Sequence, residues 1–147
     1  MYQLSLFGGE IELGVQEKPY HLELQQLYFY AKVQAMRWWN RKFDIEIKLT
    51  DARWRTQLGC YTYSVDNSIQ PYIKMSTAVN TRLSEEEKFG TLMHEMVHWH
   101  LQTSGLPFRD TDEAFVLECM RVGAPFSGAK NAKKAASKAM NNHNITK

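Results

Sequence analysis

Residues 84–105 carry the start and stop signals of one helix, and this segment constrains the fold more than any other. Ser84 followed by Glu87 is a capping box, in which the serine side chain bonds an otherwise unpaired backbone N–H. The glutamates at 85–87 favour the positive end of the helix dipole. Gly105 is the residue type that most often ends a helix. The pattern predicts a helix over about residues 85–103.

An earlier helix is predicted from Pro19 to about Trp39, because proline suits the first helical turn. Apolar residues at steps of three and four give this helix one stripe for the core: Leu24, Leu27, Ala31, Ala35 and Trp38. A last helix is predicted over about residues 112–122, ended by Gly123. Its apolar side consists of Phe115, Val116, Cys119, Met120 and Val122.

Three extended segments lie between the first two helices. Residues 43–49 alternate apolar and polar side chains, as a half-buried strand does. A second strand is predicted over residues 54–63, where Gly59 indicates a bulge or a close backbone approach. A third is predicted over 69–76, and Pro71 favours a sheet edge for it because proline lacks a backbone N–H. We therefore expect an α+β fold with a small, mostly antiparallel sheet.

Length and charge divide the chain into three parts. With 147 residues, one domain is expected. We predict an irregular arm over residues 1–18, the domain over 19–123 and a basic tail over 124–147. All 16 Asp and Glu precede residue 119, whereas six of the 18 Lys and Arg follow it. A basic tail can bind a polyanion such as nucleic acid, but a solvated end is the commoner explanation.

Several classes of protein are disfavoured by the composition. No apolar run approaches the roughly 20 residues of a membrane span, and the first residues lack the pattern of a secretory signal. The two cysteines, Cys60 and Cys119, form no Cys-x-x-Cys pair, so we expect reduced thiols and no cysteine metal cluster. A cytoplasmic protein without membrane contact is expected.

The predicted helix over 85–103 contains the pattern H-E-x-x-H at residues 94–98. Histidines four residues apart lie on one helix face, so the imidazoles of His94 and His98 can converge on one ion. Glu95 lies beside that ion and can accept a proton from an activated water. Two imidazoles and one further ligand leave a coordination position open, which is typical of catalytic Zn²⁺. The pattern indicates hydrolysis of a peptide bond. His100 lies on nearly the opposite face and is expected to be structural.

The order of one helix, three strands, the segment Leu92–His98 and a helix marked by Phe115 and Gly123 resembles the SprT-like zinc metallopeptidases. This family includes the Spartan proteases, which digest protein crosslinked to DNA. The resemblance covers about residues 20–126 and is most specific in the helical motif. The members that this chain resembles are short phage or mobile-element proteins. It implies a zincin-like fold, in which the last helix bears a ligand.

For the site, the resemblance implies zinc ligation by His94 and His98 and a general base at Glu95. It also implies that the strand before the motif helix offers its edge to a protein or peptide substrate.

The third ligand departs from the family pattern, which is a histidine followed by glycine four residues before the aromatic residue of the next helix. Counting back from Phe115 gives Thr111, which is not a zinc ligand. Asp110 or Asp112 can replace the histidine, because zinc accepts carboxylate oxygen. Asp110 with Glu113 forms a capping pair, which leaves Asp112 free, so we favour Asp112.

Aromatic and basic residues cluster at residues 37–42 and 53–55. Tryptophans flanked by arginines can stack on the bases of single-stranded DNA, although core packing of Trp38 and Trp54 is the commoner explanation. An alternative function is therefore a DNA-binding or partner-binding module in which zinc is structural or absent.

Overall fold

The chain alternates helices and short strands in the computed structural model, which describes residues 19–51, 58–77, 83–125, 134, 137, 138 and 140–142. The elements in order are α1 (Pro19–Trp39), β1 (Glu46–Thr50), β2 (Gly59–Thr62), β3 (Tyr72–Ser76), α2 (Glu85–Thr103) and α3 (Glu113–Val122). The α+β class and these three helices are as predicted from the sequence. The predicted arm over residues 1–18 and the cluster at 53–55 lie outside the described residues.

The sheet has the order β1-β3-β2, so β3 is its central strand. β1 pairs with β3 in parallel, with Ile47 opposite Ile73, and β2 pairs with β3 in antiparallel, with Gly59 opposite Met75. The expectation of a mostly antiparallel sheet is wrong, because only one of these two pairings is antiparallel. The sheet is mixed.

The expectation that the third strand lies at an edge is also wrong. Pro71 precedes the first residue of β3, so its missing N–H interrupts no ladder. The strand that directly precedes α2 therefore offers no free edge for a substrate. In the described part of the chain the two edges belong to β1 and β2.

α2 is the element around which the domain packs, since it contacts α1, β2, β3 and α3. Most of its length after the first turn is buried: Thr91, Leu92, Met93, Glu95, Met96, Val97, Trp99 and Leu101. The predicted stripe of α1 supplies Leu27, Ala31 and Ala35, each at most 1% exposed. The inner face of the sheet adds Ile47, Ile73 and Met75. Burial of these apolar surfaces is the main stabilising contribution to the fold.

Both ends of α2 carry the predicted signals. The Ser84 hydroxyl accepts a hydrogen bond from the backbone N–H of Glu87 at 3.2 Å. At the other end Gly105 adopts φ +73°, which a side chain would strain. The N–H groups of Gly105 and Leu106 then bond back to the carbonyls of Gln102 and Leu101 at 3.1 and 2.9 Å. This pattern is the Schellman motif.

α3 ends at Gly123, with φ +77°, as predicted. Phe115, Val116, Cys119 and Val122 are buried, but Met120 is 40% exposed and does not belong to the apolar side. Packing continues past the predicted boundary at 123, because Ala124 is buried and Pro125 contacts α2 near Gly90. Cys60 and Cys119 are free cysteines.

In the part of the chain that the structure describes, no helix is long and apolar enough to cross a membrane.

The cap of α2 gives a stability prediction. Replacing Ser84 with alanine (S84A) leaves the N–H of Glu87 without its partner and should lower the free energy of unfolding by about 1 kcal/mol. Urea denaturation measures this change. Ser104 at the other end of the helix contributes its backbone N–H, which alanine keeps, so S104A is the matched control. Equal destabilisation by the two substitutions would show that the side-chain cap contributes nothing.

Candidate metal centre

The imidazoles of His94 and His98 lie one turn apart on the same face of α2, and their ring centroids are 5.0 Å apart. Asp110, in the loop between α2 and α3, closes the group. Its Oδ1 lies 3.1 Å from Nε2 of His94 and 3.2 Å from Nε2 of His98. The three potential ligand atoms all lie within 4.8 Å of one another. The side chains are 14%, 12% and 43% exposed, respectively, so the centre opens to solvent on the side of Asp110.

Backbone carbonyls fix the orientation of both imidazoles. Nδ1 of His94 lies 2.7 Å from the carbonyl oxygen of Pro125, and Nδ1 of His98 lies 2.5 Å from that of Phe108. A carbonyl oxygen can only accept, so each Nδ1 carries a proton and donates it. In the neutral imidazole the lone pair is then on Nε2, the atom that faces Asp110. Histidine ligands of metals are commonly oriented in this way.

Two imidazole nitrogens therefore each face the same carboxylate oxygen across about one hydrogen-bond length. Without a cation between them, the lone pairs of two neutral imidazoles and a carboxylate repel. The positive charge comes either from a proton on each Nε2 or from one metal ion shared by the three side chains. Two atoms bonded to zinc at 2.0 to 2.1 Å and at a tetrahedral angle lie roughly 3.4 Å apart, close to the observed separations. The residues present therefore fit a small divalent metal ion.

The pKa shifts agree with this electrostatic coupling. Hydrogen bonds with the imidazoles of His94 and His98 lower the pKa of the Asp110 carboxyl below its ordinary value. Burial lowers the pKa of His94, but its hydrogen bond with Asp110 and the charge of Glu95 outweigh burial, so the net shift is upward. The carboxylate is thus held in the charged form that ligates metals.

α3 supports the centre through an aromatic ring and not through a ligand. The Phe115 ring stacks on the imidazole of His98 with centroids 4.1 Å apart, and meets that of His94 edge-on at 5.1 Å. Because Phe115 is 1% exposed, its ring is held in place by packing and restricts the movement of the two imidazoles. We expected the last helix to bear the third ligand, but the carboxylate that meets the histidines belongs to Asp110, which precedes α3.

Asp112, the favoured third ligand, is not part of the group. It is the N-cap residue of α3, and its Oδ2 accepts a hydrogen bond from the backbone N–H of Arg109 at 2.9 Å. The preference for Asp112 rested on a capping pair between Asp110 and Glu113, but the helix begins two residues later than that pair requires. Asp110, the alternative, is the carboxylate that meets the histidines.

Glu95 lies next to the three-atom group without joining it. Its side chain is buried, with the residue only 7% exposed, and it lies close to the backbone of Tyr61 in β2. Burial raises the pKa of Glu95 above its ordinary value. A buried carboxylate of raised pKa beside a candidate metal centre has the properties of a general base.

Gly59 allows β2 to approach Glu95 this closely. A Cβ at this position would lie 3.0 Å from Sδ of Met75, 3.1 Å from Cγ2 of Thr91 and 3.3 Å from Cγ of Glu95. The close approach predicted at Gly59 is therefore confirmed, and its partners are α2 and β3.

The other predicted residues lie away from the centre. His100 stacks on the Trp39 ring with centroids 4.3 Å apart and contacts Arg41 through Nδ1, which confirms its structural role. The indole N–H groups of Trp38 and Trp39 donate to Gln34 and Glu118. These two tryptophans are partly buried and pack against the core, as the commoner explanation of Trp38 predicts. Contact with single-stranded DNA through other residues stays a prediction.

Sequence reasoning missed the groups that orient the site. Phe108 and Pro125 act through backbone carbonyls, which every residue type has, so their side chains give no signal.

Comparison of the chain with protein-family models, with curated proteins and with solved structures gives no match. The resemblance to SprT-like metallopeptidases therefore stays a prediction from the motif and the order of elements.

The geometry distinguishes the two aspartates. Replacing Asp110 with asparagine (D110N) removes the charged oxygen and should lower zinc affinity by more than the roughly 10- to 100-fold that loss of a supporting hydrogen bond costs. D112N is the matched control, because an amide oxygen can still accept from the N–H of Arg109. Competition with a chromophoric chelator measures both affinities. A larger loss in D112N would contradict the assignment of Asp110.

Proposed function

We propose that the protein is a zinc-dependent peptidase in which His94, His98 and Asp110 hold the metal and Glu95 is the general base. One observation carries this proposal. Three electron-pair donors converge on one point, and the buried carboxylate of Glu95 lies beside them without belonging to the group. Two imidazoles and one carboxylate form a ligand set of catalytic zinc sites, and the H-E-x-x-H spacing on one helix favours zinc for this donor set.

The number of donors favours a catalytic over a structural metal. Structural zinc sites are closed by four protein ligands, whereas catalytic sites have three and keep one position for water or substrate. In the described ranges of the chain, the group contains three residues, and Asp110 is 43% exposed. This combination supports a position that remains open to solvent.

A zinc ion bound here supplies a Lewis acid and lowers the pKa of water to about 7. In the proposed reaction the Glu95 carboxylate takes a proton from the attacking water and delivers it to the leaving amine. The upward shift of the Glu95 pKa brings it closer to neutral pH, where a general base is most effective.

The substrate edge in this proposal is that of β2. In the described residues β2 pairs with β3 on one side only, and the strand packs directly against α2. An extended peptide can add to such an edge through main-chain hydrogen bonds. A peptide bound in this way passes close to Glu95, because β2 contacts Glu95 at Gly59 and Tyr61.

The motif, the order of elements and the adjacent general base together support membership of the SprT-like class, with proteins associated with DNA as candidate substrates. The carboxylate ligand then replaces the histidine that this class uses.

Replacing Glu95 with glutamine (E95Q) tests the function. The zinc ligands are untouched, so the purified variant should hold about one equivalent of zinc, while peptide hydrolysis falls by roughly 100- to 10,000-fold. E86Q is the matched control, since Glu86 is exposed in the first turn of the same helix. Zinc content by mass spectrometry and cleavage of an unfolded protein substrate give the two readouts.

Two results would contradict the proposal. Hydrolysis by E95Q at the wild-type rate would exclude Glu95 as the base. If the folded wild-type protein binds no zinc, or if H98A binds as much zinc as the wild type, the alternative of a DNA-binding or partner-binding module would be favoured instead.

A further inference from the structure

We propose that Tyr61, Tyr63 and Phe108 form a binding surface for an aromatic or large apolar side chain of the peptide substrate, next to the scissile bond. We call these three residues the aromatic wall. This inference rests on the proposed peptidase function and adds the class of side chain that the site selects.

The aromatic wall is a continuous row of rings. The rings of Tyr61 and Tyr63 stack with centroids 5.8 Å apart, and the rings of Tyr63 and Phe108 meet edge-on at 5.1 Å. All three residues are partly exposed. The row therefore joins the end of β2 to the loop that carries Asp110, and it retains apolar surface that a ligand can cover.

Both ends of the wall adjoin the proposed active-site residues. The carbonyl of Phe108 accepts the hydrogen bond from His98, and the backbone of Tyr61 lies close to the Glu95 carboxylate. Each of these contacts brings the main chain of a wall residue to a residue that is proposed to hold the metal or act on the scissile bond. A peptide group held between Glu95 and the imidazoles therefore has its own side chains within reach of the wall.

The strand pairing proposed for substrate directs side chains to the same surface. Gly59 and Tyr61 are two residues apart in β2 and both face α2, because Gly59 lies against Glu95 and the Tyr61 hydroxyl donates to Gln102 at 2.7 Å. Alternate side chains of a strand added to β2 face the same way. Directly opposite side chains in such a pair are about 4.5 to 5.5 Å apart at Cβ, a distance at which aromatic pairs form.

One polar group of the wall, the Tyr61 hydroxyl, already has a hydrogen-bond partner, and the remaining exposed surface is mostly aromatic carbon, which favours an apolar ligand. The Tyr61 hydroxyl is hydrogen-bonded to Gln102, and burial raises the pKa of Tyr61 to about 12, so the ring stays uncharged. An aromatic ring gains both burial and edge-to-face or stacked contacts.

Peptide binding to zinc-loaded E95Q protein tests the inference without hydrolysis. The probes are four fluorescein-labelled octapeptides that differ at one central residue, which is Phe, Gly, Lys or Asp. We expect the Phe peptide to bind roughly 10-fold tighter than the Gly peptide. Adding Y63A should abolish this preference and leave affinity for the Gly peptide unchanged.

Control variants separate recognition from folding. Tyr30 stacks on Phe89 between α1 and α2, so Y30A removes a comparable ring pair at another place and should leave the preference intact. Y63F keeps the ring and should retain the preference. If Y63A does not fold, by circular dichroism, Y63L takes its place, because leucine preserves much of the volume without the ring.

Equal affinity for the Phe and Gly peptides, tighter binding of the Lys peptide, or no detectable binding of any peptide would overturn the inference. Equal weakening of all four peptides by Y63A would do the same. These outcomes are distinguishable from failure of the proposed function. If the Phe preference holds but wild-type protein cleaves none of the peptides, the peptidase proposal fails and the aromatic wall remains as a peptide-binding surface.

Discussion

Repulsion among three lone pairs is the constraint on which the site depends. The Nε2 atoms of His94 and His98 face the same oxygen of Asp110 at 3.1 and 3.2 Å, and only a positive charge between them makes this arrangement stable. The fold enforces it from outside, because the carbonyls of Phe108 and Pro125 hold the opposite nitrogens. The fold therefore fixes the orientation of both imidazoles, and such preorganisation would lower the cost of binding a metal ion.

The supporting carbonyls come from two different parts of the chain. Phe108 lies in the loop after α2, and Pro125 lies just past α3. Each follows a helix that ends in a glycine of positive φ, Gly105 or Gly123. The sharp turns that these glycines permit return the chain to the histidine face of α2. Helix termination and the orientation of the two imidazoles are therefore one structural feature of this domain.

Much of this structure can be predicted from local signals. Ser84 and Gly105 define α2, and the apolar stripe of α1 defines its buried face, because capping and periodicity act within a few residues. The central position of β3 could not be predicted, since strand order depends on which apolar faces meet α2. The third ligand could not be chosen either: Asp110 and Asp112 have the same chemistry, and only the exact start of α3 separates a cap residue from a loop carboxylate. The positions of Phe108 and Pro125 depend on tertiary packing. Because both act through backbone carbonyls, their residue types give no sequence signal.

Anomalous X-ray diffraction at the zinc absorption edge, from crystals of the wild-type protein loaded with zinc, tests the central claim most directly. We expect one strong peak within about 2.0 to 2.2 Å of Nε2 of His94, Nε2 of His98 and a carboxylate oxygen of Asp110. Such a peak would also show whether Glu95 stays outside the coordination sphere. The absence of a peak at this position, with both imidazoles bonded only to Asp110 through protons, would contradict the account.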